Sequence, residues 1–145
     1  MTEEGRRESS LAELALAEEE LRIAGGLLRD GYSRVALTRA YFAVFHGARA
    51  LLHAAGLEPR THAGVQHLFN LHFVRSGRFD AAAARLLARL QKYREEADYS
   101  RAFVVDAAGA GEELDAARAF VEAVRRQAGD FGVEAGPETG SVARE

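Results

Sequence analysis

The chain has 145 residues, 48% hydrophobic and 28% charged, which suits one soluble globular domain with a core of its own. It has no cysteine, which excludes a disulfide framework, a thiolate metal site and a cysteine nucleophile. The net charge of -3 hides an asymmetry: Arg29 to Arg94 holds eleven Arg and Lys against three acids, +8, leaving -11 for the rest. That pattern fits a surface that meets a polyanion, or charges spread over several solvated helix faces. No apolar run has the length of a membrane span, and the acidic Met1-Thr-Glu-Glu start is no signal peptide. A cytoplasmic setting is expected.

In chain order, residues 1–8 are polar and are expected to fray. Ser9 or Ser10 can cap a first helix, with Glu13 completing a capping box. Leu11, Leu14, Leu21 and Leu28 repeat at helical spacing as far as Arg29, and Gly31 closes the helix. Gly25-Gly26 inside it costs about 1 kcal/mol per Gly against Ala, which a close helix crossing would offset.

A second helix runs from Tyr32 or Ser33 to about Ala55, ended by Gly56. Thr61 caps a third, with Val65, Leu68, Phe69 and Phe73 on its core face and Ser76-Gly77 at its end. Asp80 caps a fourth, with Leu86, Leu87, Leu90, Tyr93 and Ala97 inward and Arg85, Arg89, Lys92 and Arg94 at other positions. Phe103-Val-Val105 reads as a connector. Glu112 to Arg126 makes a fifth helix, acid-first and base-last, with Leu114, Ala117, Val121 and Val124 inward. Residues 129–145 read as a disordered tail. The expected fold is an all-α, five-helix up-and-down bundle over residues 9–128.

The second helix organises this reading. Arg39, His46 and His53 recur at seven-residue spacing and so stack in one stripe. Tyr41, Phe42, Val44, Phe45, Leu51 and Leu52 cover most of its remaining circumference, the pattern of a central, buried helix. Imidazole moves protons near neutrality, and guanidinium forks onto phosphate oxygens. Together they supply what cleavage of RNA by its own 2′-hydroxyl requires: a base for that hydroxyl and a cation for charge on phosphorus. The structural alternative is a core His bonded to a carbonyl and an Arg paired with Glu95, Glu96 or Asp98.

Ala43, Gly47 and Ala50 flank the stripe. They permit either a two-fold dimer that joins two stripes in one cleft, or close packing on the first helix. Asp98 and Tyr99 either reach the Arg39 site or form a buried acid and a packed ring. His62, His67 and His72 are five apart and diverge, so metal ligation finds no support. No cofactor is expected.

The run Ser33 to Leu52, with Arg39-Ala-Tyr-Phe-Ala and Phe45-His46-Gly-Ala-Arg-Ala-Leu-Leu52, resembles the HEPN domain family. Thr61-His62-Ala-Gly64, the Phe-Val-Arg-Ser-Gly77 stretch and Arg94-Glu-Glu-Ala-Asp98-Tyr99 continue the likeness, which covers residues 9–127. The nearest subgroup is the small stand-alone, UPF0332-like proteins. The resemblance implies a four- or five-helix bundle, commonly a homodimer. It also implies a metal-independent ribonuclease with an Arg-x4–6-His motif at the dimer cleft. Arg39 and His46 fit the long end of that spacing.

Many such proteins are toxins encoded beside a minimal nucleotidyltransferase antitoxin. In one toxin group the motif is Arg-x4-His-x-Tyr and the Tyr is modified; here position 48 is Ala. Two functions follow. In the first, His46 is the general base of a ribonuclease and Arg39 its transition-state cation. Arg85, Arg89, Lys92 and Arg94 then hold RNA, with Tyr41, His53, Asp98 and Tyr99 in support. In the second, the chain is a non-catalytic helical dimer that partners a nucleotidyltransferase or binds nucleotide or RNA. An Arg39 and His46 open to solvent favour the first. An Arg39 locked onto an acid within one protomer, beside a sealed His46, favours the second.

Overall fold

The computed structural model describes residues 2–100 and 102–133. Five α-helices follow in order: α1 Glu3–Arg29, α2 Ser33–Ala54, α3 His62–Phe69, α4 Ala81–Tyr99 and α5 Ala107–Gly129. A π-helical turn, Asn70–Val74, continues α3. The described residues contain no strand, and the all-α bundle stands as expected.

Helix α2 is the axis of the bundle and packs on all four other helices. Fourteen of its 22 residues are buried, which is why its sequence is apolar nearly all round. Tyr41, Val44, Leu51 and Leu52 are fully covered. A second aromatic knot ties the far end. Phe69 lies 5.7 Å from Phe73, 5.1 Å from Phe79 and 5.5 Å from Phe120, joining α3, the π turn, the start of α4 and α5.

Local chemistry sets most of the boundaries. The side chains of Thr61 and Asp80 accept from the backbone N–H groups of Gly64 and Ala83, capping α3 and α4 as their sequences indicate. Gly31, Gly56 and Gly77 close α1, α2 and the π turn with φ of 91°, 86° and 87°, a region that side chains disfavour. At the end of α4, Arg34 donates to the carbonyls of Ala97 and Ser100.

Several boundaries differ from the expectation. Helix α1 starts at Glu3, not near Ser10, because Thr2 is its cap and accepts from Gly5 N at 2.9 Å. Ser10 is fully buried mid-helix and donates to the Ala50 carbonyl at 2.8 Å. Helix α5 begins at Ala107 under the Asp106 cap. The region expected as a tail contributes Val133 to the core, at 3% exposure. Residues 134–145 lie outside the described residues.

Of the two readings of the small-residue flank, packing inside the bundle holds, with Ala50 against Ser10 of α1. Ala43 and Ala50 are fully buried, and Gly47 faces α5, where a Cβ would stand 3.4 Å from Val121 Cγ2 and 3.5 Å from Phe120 Cε2. These residues seat α2 inside its own bundle and offer no open face. Gly25 likewise faces Arg118 of α5 and makes no crossing with Gly47.

Candidate functional site

Four cationic or titratable side chains gather on one phenylalanine. The Arg39 guanidinium carbon lies 5.1 Å from the Phe42 ring centroid, and that of Arg94 lies 5.4 Å away. The His46 and His62 rings each lie 6.5 Å from the same ring. Helix α2 supplies Arg39 and His46, α3 supplies His62 from its first residue, and α4 supplies Arg94. The negative face of an aromatic ring attracts cations, so Phe42 is a suitable hub. All four side chains are half-buried.

Each half of the cluster is held from behind. His46 Nδ1 donates to Glu13 Oε1 of α1 at 2.7 Å. The same carboxylate meets Arg49 at 3.6 Å. Burial pushes the Glu13 carboxyl up, but the His46 hydrogen bond and the charges of His46, Arg49 and His53 outweigh it, and the net shift is downward. A carboxylate only accepts, so His46 Nδ1 carries a proton, and in neutral His46 Nε2 is the open lone pair. Arg39 pairs with Glu20 of α1 at 3.1 Å, with side-chain exposures of 33% and 16%.

On the other half, the Tyr41 hydroxyl is hydrogen-bonded to His62 Nδ1, and Arg94 also lies over the Tyr41 ring at 5.7 Å. His62 stacks on Phe45 with centroids 4.5 Å apart. Its pKa is lowered by burial first and then by the like charges of Arg94, Arg49 and His46.

The expected site is therefore brought together in part. Arg39, His46, Tyr41 and Arg94 converge. His53 is 7% exposed, inside the protomer against α1, and its Nδ1 has no partner among the described residues. The RNA-binding set divides, because Arg94 sits nine residues, or half a turn, from Arg85 around α4. Arg89 is engaged by a two-pronged bond to Glu113, both distances 2.8 Å. Arg85 and Lys92 are exposed. Asp98 is exposed and Tyr99 is 87% exposed, so the buried, packed reading of that pair does not hold.

Two acids of α1, Glu13 and Glu20, and one imidazole, His62, complete the site without having been singled out for it. Arg39 is locked by Glu20, not by Glu95, Glu96 or Asp98. The basic middle of the chain also finds acids elsewhere in the chain. Besides Glu13 and Glu20, Glu113 pairs with Arg89 and Asp130 with Arg78. Four of the eleven basic side chains in that stretch, Arg39, Arg49, Arg78 and Arg89, are thus paired with acids from other parts of the chain. The described residues hold no cluster of three or more metal-ligating side chains, and no described helix is long and apolar enough to cross a membrane.

Comparison with known proteins now places the chain. The family model of the HEPN domain matches residues 13–127, which contain every residue of this cluster. The chain belongs to the HEPN domain family. It is 39% identical over 94 residues to a protein of Methanocaldococcus jannaschii named "Putative toxin", a match covering 65% of this chain and 70% of that one. It is 45% identical over 74 residues to a UPF0332 protein of Pyrococcus horikoshii, covering 51% of this chain and 52% of that protein. A UPF0332 protein of Thermotoga maritima is 29% identical over 110 residues, covering 76% and 83%. The HEPN cluster thus has two imidazoles and two guanidiniums from three helices around one ring.

Proposed function

We propose that this HEPN protein is a metal-independent endoribonuclease and acts as a toxin, with Arg39 and His46 as its catalytic pair. The observation that carries the reading is the oriented His46. Glu13 fixes the proton on Nδ1 and so leaves Nε2 as the basic nitrogen, on a ring that shares Phe42 with Arg39. A carboxylate that holds an imidazole tautomer this way serves a general base. His46 Nε2 takes the proton of a ribose 2′-hydroxyl, that oxygen bonds to the adjacent phosphorus as the bond from phosphorus to the 5′-oxygen breaks, and the 5′-oxygen takes a proton from water and leaves as a hydroxyl. Arg39 balances the charge that builds on the phosphoryl oxygens. The name of the Methanocaldococcus relative supports the toxin role.

A homodimer fits the same face. Leu16 and Ile23 on α1 and Val35 on α2 are 42%, 40% and 45% exposed, and helical spacing sets them beside Glu20 and Arg39. Apolar groups that rim a polar cleft suit a second copy. The cognate antitoxin, on this reading, is a minimal nucleotidyltransferase.

The Glu20 lock on Arg39 favours a second reading, a binding module without catalysis. The two are separated with labelled RNA in EDTA and folded Arg39→Ala and His46→Ala variants. Cleavage by the parent alone supports the enzyme. No cleavage by well-folded parent supports the module.

A further inference from the structure

The motif-bearing helix supplies only half of the cluster at Phe42. His62 and Arg94 come from α3 and α4 and have no role in the Arg39 and His46 chemistry described above. We propose that His62 and Arg94 form a phosphate-binding arm that grips a non-bridging oxygen of the phosphate whose charge Arg39 balances. This deepens the ribonuclease reading and rests on it for the identity of the substrate, though not for anion binding itself.

The hydrogen-bond inventory sets the direction of the His62 ring. Tyr41 is fully buried, and among the described residues its hydroxyl has one partner, His62 Nδ1. If Nδ1 donated, the Tyr41 proton would be buried without an acceptor, which is costly. The hydroxyl therefore donates and Nδ1 accepts. Burial raises the Tyr41 pKa, which keeps that proton in place. A neutral His62 then carries its own proton on Nε2. His46 and His62 thus present opposite faces to a ligand: a lone pair on one Nε2 and an N–H on the other.

The charges that act on His62 itself are of one sign. Arg94 from α4 and Arg49 and His46 from α2 face His62. The nearby acids are engaged: Glu13 by His46 and Arg49, Glu20 by Arg39, and Glu95 by Gln91. A phosphate oxygen placed here accepts from His62 Nε2–H and a guanidinium of Arg94, both charge-assisted bonds. The Arg94 guanidinium carbon lies 5.7 Å from the Tyr41 ring and 5.4 Å from the Phe42 ring, so two rings hold its charged head in place.

The test is a titration of the full chain with inorganic phosphate, followed by the ring 15N and 1H resonances of its histidines. The parent is expected to show the Nε2–H form of His62 without phosphate. Its ring resonances then move with phosphate, and its titration midpoint rises. His62→Ala and Arg94→Ala, folded by circular dichroism, are each expected to weaken phosphate binding at least about tenfold. On RNA they raise KM more than they lower kcat. Phosphate that binds without moving the His62 resonances overturns the proposal, as does a parent that binds no phosphate. Phosphate binding at His62 without RNA cleavage would remove the ribonuclease reading and leave the arm standing. RNA cleavage with an unchanged KM in both variants would do the reverse.

Discussion

His46 and His62 both pack on the Phe45 ring, with centroids 5.4 and 4.5 Å away, and hydrogen bonds to Glu13 and Tyr41 set their ring protons on opposite nitrogens. Each imidazole is held by a group that does not itself face the ligand side. The site is thus built in two layers: α1 and the interior of α2 fix tautomers, and the half-buried ring edges are left for the proposed chemistry. Several consequences can be measured without knowing the substrate.

Glu13 supports both His46 and Arg49, and its side chain is only 12% exposed. Glu13→Gln is expected to destabilise the fold by about 1–3 kcal/mol, since it leaves two partners with a weaker acceptor. The carboxyl is shifted below its ordinary 4.5, so its stabilisation is complete above that pH. It drains away as the pH falls from 4.5 through the lowered value. Denaturant melts should therefore show the parent losing its advantage over Glu13→Gln in acid. An equal acid slope in both proteins would place the carboxylate outside this network.

His53 gives a second pH signature. Burial depresses its pKa below 6.5, ahead of the opposing pull of Glu13. The unfolded chain takes its proton as the pH drops below 6.5, before the folded chain does, so stability falls as pH falls through that window. His62 contributes with the same sign. His53→Leu removes one of the two contributions. It should flatten the loss of stability below 6.5 while leaving RNA cleavage in place.

Ser10 and Ser9 separate a buried hydrogen bond from a helix cap. Ser10→Ala loses the bond to the Ala50 carbonyl and is expected to cost about 1 kcal/mol. Ser9→Ala should stay within about 0.5 kcal/mol, because Thr2 is the cap. The comparison is read by thermal unfolding of the two variants side by side.

The caps and the central helix were legible because their signals are local. Thr61 and Asp80 each bond an N–H three residues on, and α2 carries its burial in its own apolar wrap. Helix α5 starts at Ala107, ahead of the expected Glu112, and runs through Gly109 and Gly111, residues of low helix propensity. Yet a Cβ at Gly109 would stand 3.0 Å from Asp106 Oδ1, so glycine suits that cap. The site's back layer was not legible. Glu13 lies 33 residues from His46, and Glu20 lies 19 from Arg39. No spacing rule announces such tertiary pairs. His62 was weighed as a metal ligand with His67 and His72, whereas its partner is Tyr41. Asp98 and Tyr99 carried family resemblance but point outward, so Tyr99→Ala should change stability by less than about 0.5 kcal/mol.

Gly47 tests where two chains do not meet. A large side chain there collides with Phe120 and Val121 of the same protomer. Gly47→Leu is expected to cost about 1–3 kcal/mol in stability through overpacking. Sedimentation of the folded fraction should show unchanged association. A folded variant that loses association would return this flank to the subunit interface.

The central claim is that the cluster at Phe42 cuts RNA through the substrate's own 2′-hydroxyl. The most direct measurement is the chemistry of the ends left on a short RNA and on its all-deoxy counterpart, both incubated with the protein in EDTA. The expected result is 2′,3′-cyclic phosphate and 5′-hydroxyl ends from the RNA, none from the deoxy strand, and none from either with His46→Ala. Cutting of the deoxy strand, or intact RNA in the presence of well-folded parent protein, would contradict it.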